Sequence, residues 1–347
     1  MVMLVTFRST GGGGRGWRAQ GAGRIAAVRV VVAAAAVLCP ALVAGAQTSA
    51  NYPGTTCRVF PADSWWHADV STLAVHPMSR TWMANMQAAT RNLHPDFGPS
   101  YGAIAGPYGI PVTVVDGTEK KVRVRFDYAD ESDRGPYPLG RRTKVEGWSW
   151  TREGDRHTVT IDRSTCTLYE TFHTSRRDGR WSAGSGAIWS LRSNALRPDG
   201  WTSADAAGLP ILPGLLRYDE VRKGTIDHAI RFTTNVTDRR YLWPARHQAG
   251  SVRDRDFPPM GARFRLKASY RIAPSLRPDT RAVLRAMKRY GLVLADNGSP
   301  WFFQGTADTR WPEGLIEELK EVPASAFEAV DTLPLRVRRD SMAVRRR

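Results

Sequence analysis

The sequence predicts a mainly β protein, a β-sandwich or jelly-roll-like single domain with a short C-terminal α/β element. Three observations carry that expectation. Segments 122–128, 157–162 and 263–272 alternate apolar and polar residues with period two, as strands with one wet face do. Long loops rich in Pro and Gly, at 129–141, 195–217 and 250–262, separate the strand signals. Helical patterning is confined largely to the C-terminal part, and many short strands joined by long loops favour stacked sheets.

The N-terminal end reads as an export signal. Arg24 and Arg29 flank a run at 30–38 without a polar side chain, and Ala44-Gly45-Ala46 is a small-residue cleavage site. Pro40 breaks the apolar run, which is short of the ~20 residues a membrane span needs. The expectation is a secreted protein, extracellular or periplasmic, without stable membrane insertion once the signal 1–46 is removed. An uncleaved anchor is the competing reading. Cys39 falls inside the signal, so the mature chain keeps Cys57 and Cys166. In an oxidising compartment an even pair reads as a disulfide, with two buried free thiols as the alternative. Two cysteines are too few for a thiolate zinc site.

Residues 47–335 show no linker and read as one β-rich domain. Within it, 279–290 is the clearest helix: Asp279 is placed to cap it, Val283, Met287 and Tyr290 share a face, and Gly291 ends it. A second helix starts at Pro312 and runs to about Glu321, with strands at 292–295 and 301–304 between the two. Asp296-Asn297-Gly298 reads as a tight hairpin turn joining those strands. The net charge of +17 is concentrated at the ends: residues 1–46 hold +5, 336–347 hold +5, and the domain keeps +7. Residues 336–347 read as a disordered basic tail. No helix-turn-helix, zinc-finger or RNA-binding signature accompanies the charge, which argues against a nucleic-acid partner.

Candidate chemistry gathers in a few polar clusters. Glu170 beside Tyr169 can act as acid, base or nucleophile, or stand as an exposed strand residue. The segment from Gly200 to Glu220 is a long loop too apolar to be disordered, and it carries Trp201, Ser203, Asp205 and Asp219. Ser203 lacks the glycine-flanked elbow of a hydrolase nucleophile. His228 and Arg231 alternate along one strand signal, and Trp243, Arg246 and His247 lie in a second, within one hairpin's reach. No HxH or HExxH spacing makes these histidines a metal set. Asp130, Glu131 and Asp133 put three carboxylates in four residues, which could hold Ca²⁺ or simply face water. No other metal or cofactor is expected. The basic face of 263–271 could meet an acidic polysaccharide, with a solvated sheet face as the plainer account.

Several blocks recur together: Asp96-Phe-Gly, Glu131-Ser-Asp-Arg-Gly-Pro-Tyr-Pro, Asp155-Arg-His, Gly200 to Val221, Asp227-His-Ala-Ile-Arg-Phe, Trp243-Pro-Ala-Arg-His and Ala295-Asp-Asn-Gly-Ser. On these blocks the chain resembles a group of secreted proteins of actinobacteria and other soil bacteria, over about residues 69–331. The resemblance implies a secreted globular protein and supplies no catalytic assignment.

Twelve tryptophans suit both β cores and sugar-stacking platforms. The leading expectation is a carbohydrate-active enzyme, a polysaccharide hydrolase or lyase with a glycan substrate. Its catalytic candidates are Glu170, Asp205, Asp219, His228 and His247. Tyr169, Trp201, Arg231, Trp243, Arg246 and Asp296 are the substrate-binding candidates. A non-catalytic glycan- or cell-surface-binding sandwich is the alternative, and a peptidase using Glu or His is a third reading. The test is whether the catalytic candidates meet in one cleft.

Overall fold

Side-chain alternation does build the strands, but only the 122–128 stretch keeps its wet face, with Arg123 and Arg125 exposed; at 158–162 and 263–266 the polar face is covered. The computed structural model describes residues 51–102, 104–147 and 154–345; the segment read as an export signal lies outside them. The principal strands, in chain order, are His94–Asp96 (β1), Val112–Val115 (β2), Thr158–Asp162 (β3), Thr167–Phe172 (β4), Ser185–Ser190 (β5), Ile230–Thr234 (β6), Arg263–Leu266 (β7), Leu292–Asn297 (β8), Phe302–Gln304 (β9) and Phe327–Val330 (β10). The helices are Ser79–Asn85 (α1), Tyr218–Lys223 (α2), Pro278–Arg289 (α3) and Glu313–Lys320 (α4).

One mixed sheet runs β1-β9-β6-β8-β7-β10, and a second runs β5-β4-β3-β2. The strand 124–126 belongs to a separate three-stranded sheet with 180–183 and 175–177. The two principal sheets share one core, in which Val159, Ile161 and Leu168 join Phe232, Leu294 and Phe303. The domain is therefore mainly β, as expected. Its C-terminal α/β portion is no appendage, because β8 and β9 are inner strands of the largest sheet.

Alternation gives the six-stranded sheet two distinct faces. Phe232, Phe264 and Phe327 pack around Trp301, with ring centroids 5.5, 6.1 and 5.7 Å away. The opposite face is polar. Asp96 pairs in register with Gln304, and Arg231 and Arg263 both pair with Val293. Arg263 and Arg265 were expected in water, yet Arg263 is only 1% exposed and Arg265 is buried too. The segment around 64–73 folds over them. Arg265 Nη1 donates to the carbonyls of Val70, Ser71 and Leu73, and Arg263 Nε donates to Tyr290 O while its guanidinium lies 4.3 Å from the Trp65 ring centroid. In β3, Thr158, Thr160 and Asp162 are buried in the same way.

Three further expectations are corrected. The 296–299 turn joins β8 to β9 without making a hairpin, because β6 lies between them, parallel to β8 and antiparallel to β9. Asp279 sits inside the first turn of α3, which Pro278 opens, and takes the Arg277 guanidinium instead of capping. Residues 336–345 are not a disordered tail: Met342 is fully buried, and Met342 N donates to Asn194 O at 2.7 Å and Trp65 N to Met342 O at 2.8 Å. The Trp65 amide and the Asn194 carbonyl need these partners, so ordering the tail satisfies groups that burial would strand.

Cys57 and Cys166 form the expected disulfide, 109 residues apart in sequence. It ties the N-terminal arm to the β3–β4 turn. Constraining a loop of that length stabilises the fold by about 4 kcal/mol. Replacing both cysteines by Ala is expected to lower the urea midpoint accordingly, and a midpoint equal to wild type would show that the crosslink contributes nothing.

Candidate functional site

The segment from Gly200 to Leu216 is a buried wedge held at both sheets. On the four-stranded sheet, Glu170 of β4 accepts hydrogen bonds from the backbone N–H of Ile211 and Leu212, at 3.0 and 2.9 Å, and from the Trp189 indole at 3.1 Å. On the six-stranded sheet, Arg231 of β6 grips Asp205 in a bidentate pair, Nε–Oδ2 3.1 Å and Nη2–Oδ1 2.6 Å. Gly214 lies flat on Arg231; a Cβ there would come 2.9 Å from the Arg231 Cβ and 3.0 Å from the Trp66 ring. Gly208 is held as closely, a Cβ there falling 2.5 Å from Trp201 O, so glycine at these two positions is a packing requirement.

Beside the wedge, a set of ionisable groups meets at the end of the polar sheet face. Asp296 on β8 stands 3.6 Å from Arg231 Nη2. His157, at the start of β3, places Nδ1 2.5 Å from Glu146 Oε2 and Nε2 3.2 Å from Ala204 O. Both ring nitrogens face acceptors, which suits the imidazolium. Burial pulls the His157 pKa down, but the Glu146 carboxylate outweighs it and lifts it to about 9. Burial pushes Glu146 up, and His157 more than reverses this, holding it below its usual range. Asp96, at the end of β1, goes the other way: burial raises it, its bond from Gln304 Nε2 opposes, and Glu146 and Asp155 add repulsion. Asp296 is pushed up to about 7 by burial and by Asp205.

Asp96, Glu146 and Asp155 line one cleft of about 570 Å³, with Tyr101, Tyr108 and Lys144 among its walls. The two tyrosine rings meet edge to face at 5.3 Å, and the Tyr108 hydroxyl donates to Pro95 O. Carboxylates, phenols and an ammonium in a concave wall are the groups that hydrogen-bond polyols.

The five catalytic candidates from the sequence do not meet there. Glu170 is 0% exposed and its oxygens are occupied as a strut. Burial pushes its pKa up to about 7 against the bonds it accepts. Asp205 is buried beneath Arg231 and belongs to the charged set without reaching the cleft wall. Asp219 opens α2 and takes Arg217. His228 is buried with Nε2 2.9 Å from Glu220 Oε1 and Nδ1 2.8 Å from Ala229 O, an internal ion pair shared with Arg217. His247 bonds Ala206 O and lies 3.7 Å from Glu131. The hairpin imagined for His228 and His247 does not form, because strand 238–241 pairs with 259–260 and not with β6.

Among the binding candidates, Arg231 and Asp296 belong to the charged set. Tyr169 is buried and accepts from Lys121 Nζ at 2.6 Å. Trp201 lies under Arg197, Trp243 donates to Ser341 O, and Arg246 holds the Arg197 and Arg339 carbonyls. The carboxylates at 130–133 take separate partners, Asp133 with Arg197 and Glu131 with Thr202 N, and no metal-ligand cluster occurs among the described residues.

Sequence reasoning missed Asp96, Glu146 and His157 as chemistry. Asp96-Phe-Gly and Asp155-Arg-His stood among the recurring blocks, and Glu146 precedes Gly-Trp-Ser-Trp, an acid beside aromatic residues. No family model matches the sequence, and no curated protein or solved structure matches it. Replacing Glu170 by Ala strands two buried N–H groups and an indole donor, and is expected to cost about 3 kcal/mol or more in urea unfolding. A loss within about 0.5 kcal/mol would contradict the strut.

Proposed function

We propose that the chain is an exported glycoside hydrolase, with Asp96 as general acid and Glu146 as the ionised partner. The observation that carries this reading is two carboxyl groups in one cleft whose surroundings push their pKa values apart, Asp96 up and Glu146 down. Hydrolysis of a glycosidic bond needs that division. Asp96 gives its proton to the leaving glycosidic oxygen as the C–O bond breaks. Glu146 takes a proton from the water whose oxygen bonds to the anomeric carbon. Both His157 contacts fall on Glu146 Oε2, and no hydrogen bond to Oε1 occurs among the described residues. The imidazolium steadies the carboxylate and keeps it from gaining a proton.

As placed, the Gln304 amide favours the ionised form of Asp96; turned over, it would favour the protonated one. Its Nε2 lies 3.4 Å from Asp96 Oδ2, and its buried Oε1 has no partner among the described residues. With the amide turned over, an O–H on Asp96 satisfies that oxygen. A lyase reading draws less support, since it asks for one base rather than a split pair. Export is supported by the disulfide, which persists in oxidising compartments, and no described helix is long and apolar enough to cross a membrane. The likeness to secreted proteins of soil bacteria agrees with the same reading.

Asp96→Asn should slow polysaccharide cleavage by about 10²–10⁴-fold at the wild-type melting temperature; Glu146→Gln should slow it similarly but lower the melting temperature, because it leaves the buried His157 imidazolium without its partner. Wild-type rates in both variants, or no cleavage by the wild type across neutral and acidic polysaccharides, would leave the glycan-binding alternative. The pH–rate profile should be bell-shaped. Its acid limb falls where Glu146 gains a proton, below the usual carboxylate range, and its alkaline limb falls where Asp96 loses one, above that range. A profile rising without an alkaline limb would contradict the role of Asp96.

A further inference from the structure

We infer that a second cavity, of about 700 Å³ and walled by Arg239, Arg240, Arg253, Arg255, Asp238 and Gln248, binds the anionic groups of an acidic polysaccharide. The inference rests on the glycan reading above and names its substrate class. Four exposed guanidinium groups share this wall. Arg240 pairs with Asp238, and Arg239 Nε donates to Gly250 O at 3.2 Å. Arg253 and Arg255 have no carboxylate partner among the described residues, so their charge is available to a ligand.

The frame under these side chains is fixed from both sides. Arg239 N donates to Val252 O at 2.8 Å, and Gly250 lies so close to the strand that a Cβ would sit 2.4 Å from Asp238 O. Trp82 Nε1 donates to Arg255 O at 3.0 Å, and Asn85 Nδ2 donates to Asp256 O at 2.7 Å. Cations held this way cost less to order on a ligand than free surface arginines. The cavity is also tied to the charged set of the cleft. Asn297 donates to Ala249 O at 2.5 Å and accepts from Thr237 at 2.8 Å, and Asn297 follows Asp296 in β8.

The lining selects among polyanions. It contains no aromatic ring, so nucleic-acid bases find no stacking platform. Asp238 and Gln248 add acceptors and an amide beside the cations, which suit sugar hydroxyls next to carboxylate or sulfate groups.

The test is affinity measurement by titration calorimetry on the full chain. The probes are polygalacturonate, dextran sulfate, neutral dextran and an oligonucleotide of matched charge. The account expects binding of polygalacturonate or dextran sulfate, the better of the two naming the acid group. It expects none of neutral dextran, and weakening by added salt. The triple variant R239Q/R253Q/R255Q should bind at least about tenfold more weakly. Affinity is read without turnover, so failure of the hydrolase reading would leave this result intact. Wild-type affinity in the triple variant, binding insensitive to salt, or preference for the oligonucleotide would each overturn the inference.

Discussion

The buried pair between Arg231 and Asp205 is the interaction on which the site depends. A guanidinium in the protein interior without a partner is strongly destabilising, so its carboxylate is obligatory. Asp205 reaches it only because the 200–216 wedge enters between the sheets, and the wedge stays there because Glu170 holds its amides from the other side. Loss of either anchor exposes donors and charges that nothing else in the core can satisfy. The pair also sets the charge balance nearby. With Arg231 already saturated by Asp205, Asp296 gains little from it at 3.6 Å and keeps its proton to about pH 7.

The same crowding explains the split within the cleft. Asp96, Glu146, Asp155, Asp205 and Asp296 act on one another, while Arg231 and His157 are the cations within the set. His157 and Arg231 are taken up by Glu146 and Asp205, and burial then raises the two carboxyls left over, Asp96 and Asp296. Protons remain where partners are weakest. Glu146 owns His157 at 2.5 Å and ionises easily; Asp96 has a neutral amide at 3.4 Å and does not. Acid and base roles are therefore consequences of neighbour assignment, with no special chemistry in either side chain.

The fold was legible where burial follows local pattern. Period two located β3 and β7, and the apolar face and terminal glycine located α3. Pattern failed where a distant segment covers a polar face. Nothing in Arg-Phe-Arg-Leu shows that residues 64–73 will lie across Arg263 and Arg265 and accept their protons. Glu170 misled for the same reason: an acid beside a tyrosine resembles a catalyst until two amides from the wedge are found on its oxygens. Arg231, Asp205 and Asp296 stand among the polar candidates of the sequence, and the structure brings the three side chains together. Glu146 and His157 sit 11 residues apart in sequence, a separation with no motif, so their contact is legible only in three dimensions.

The central claim, that Asp96 and Glu146 hold opposite protonation states in one cleft, is open to direct measurement. Carboxyl ¹³C chemical shifts, titrated on labelled protein and assigned with Asp96→Asn and Glu146→Gln, report each group's own proton. The account predicts that Glu146 loses its proton first, at a pH below that of free carboxylates, and that Asp96 follows at a clearly higher pH. Coincident titrations, or Asp96 ionising before Glu146, would contradict it.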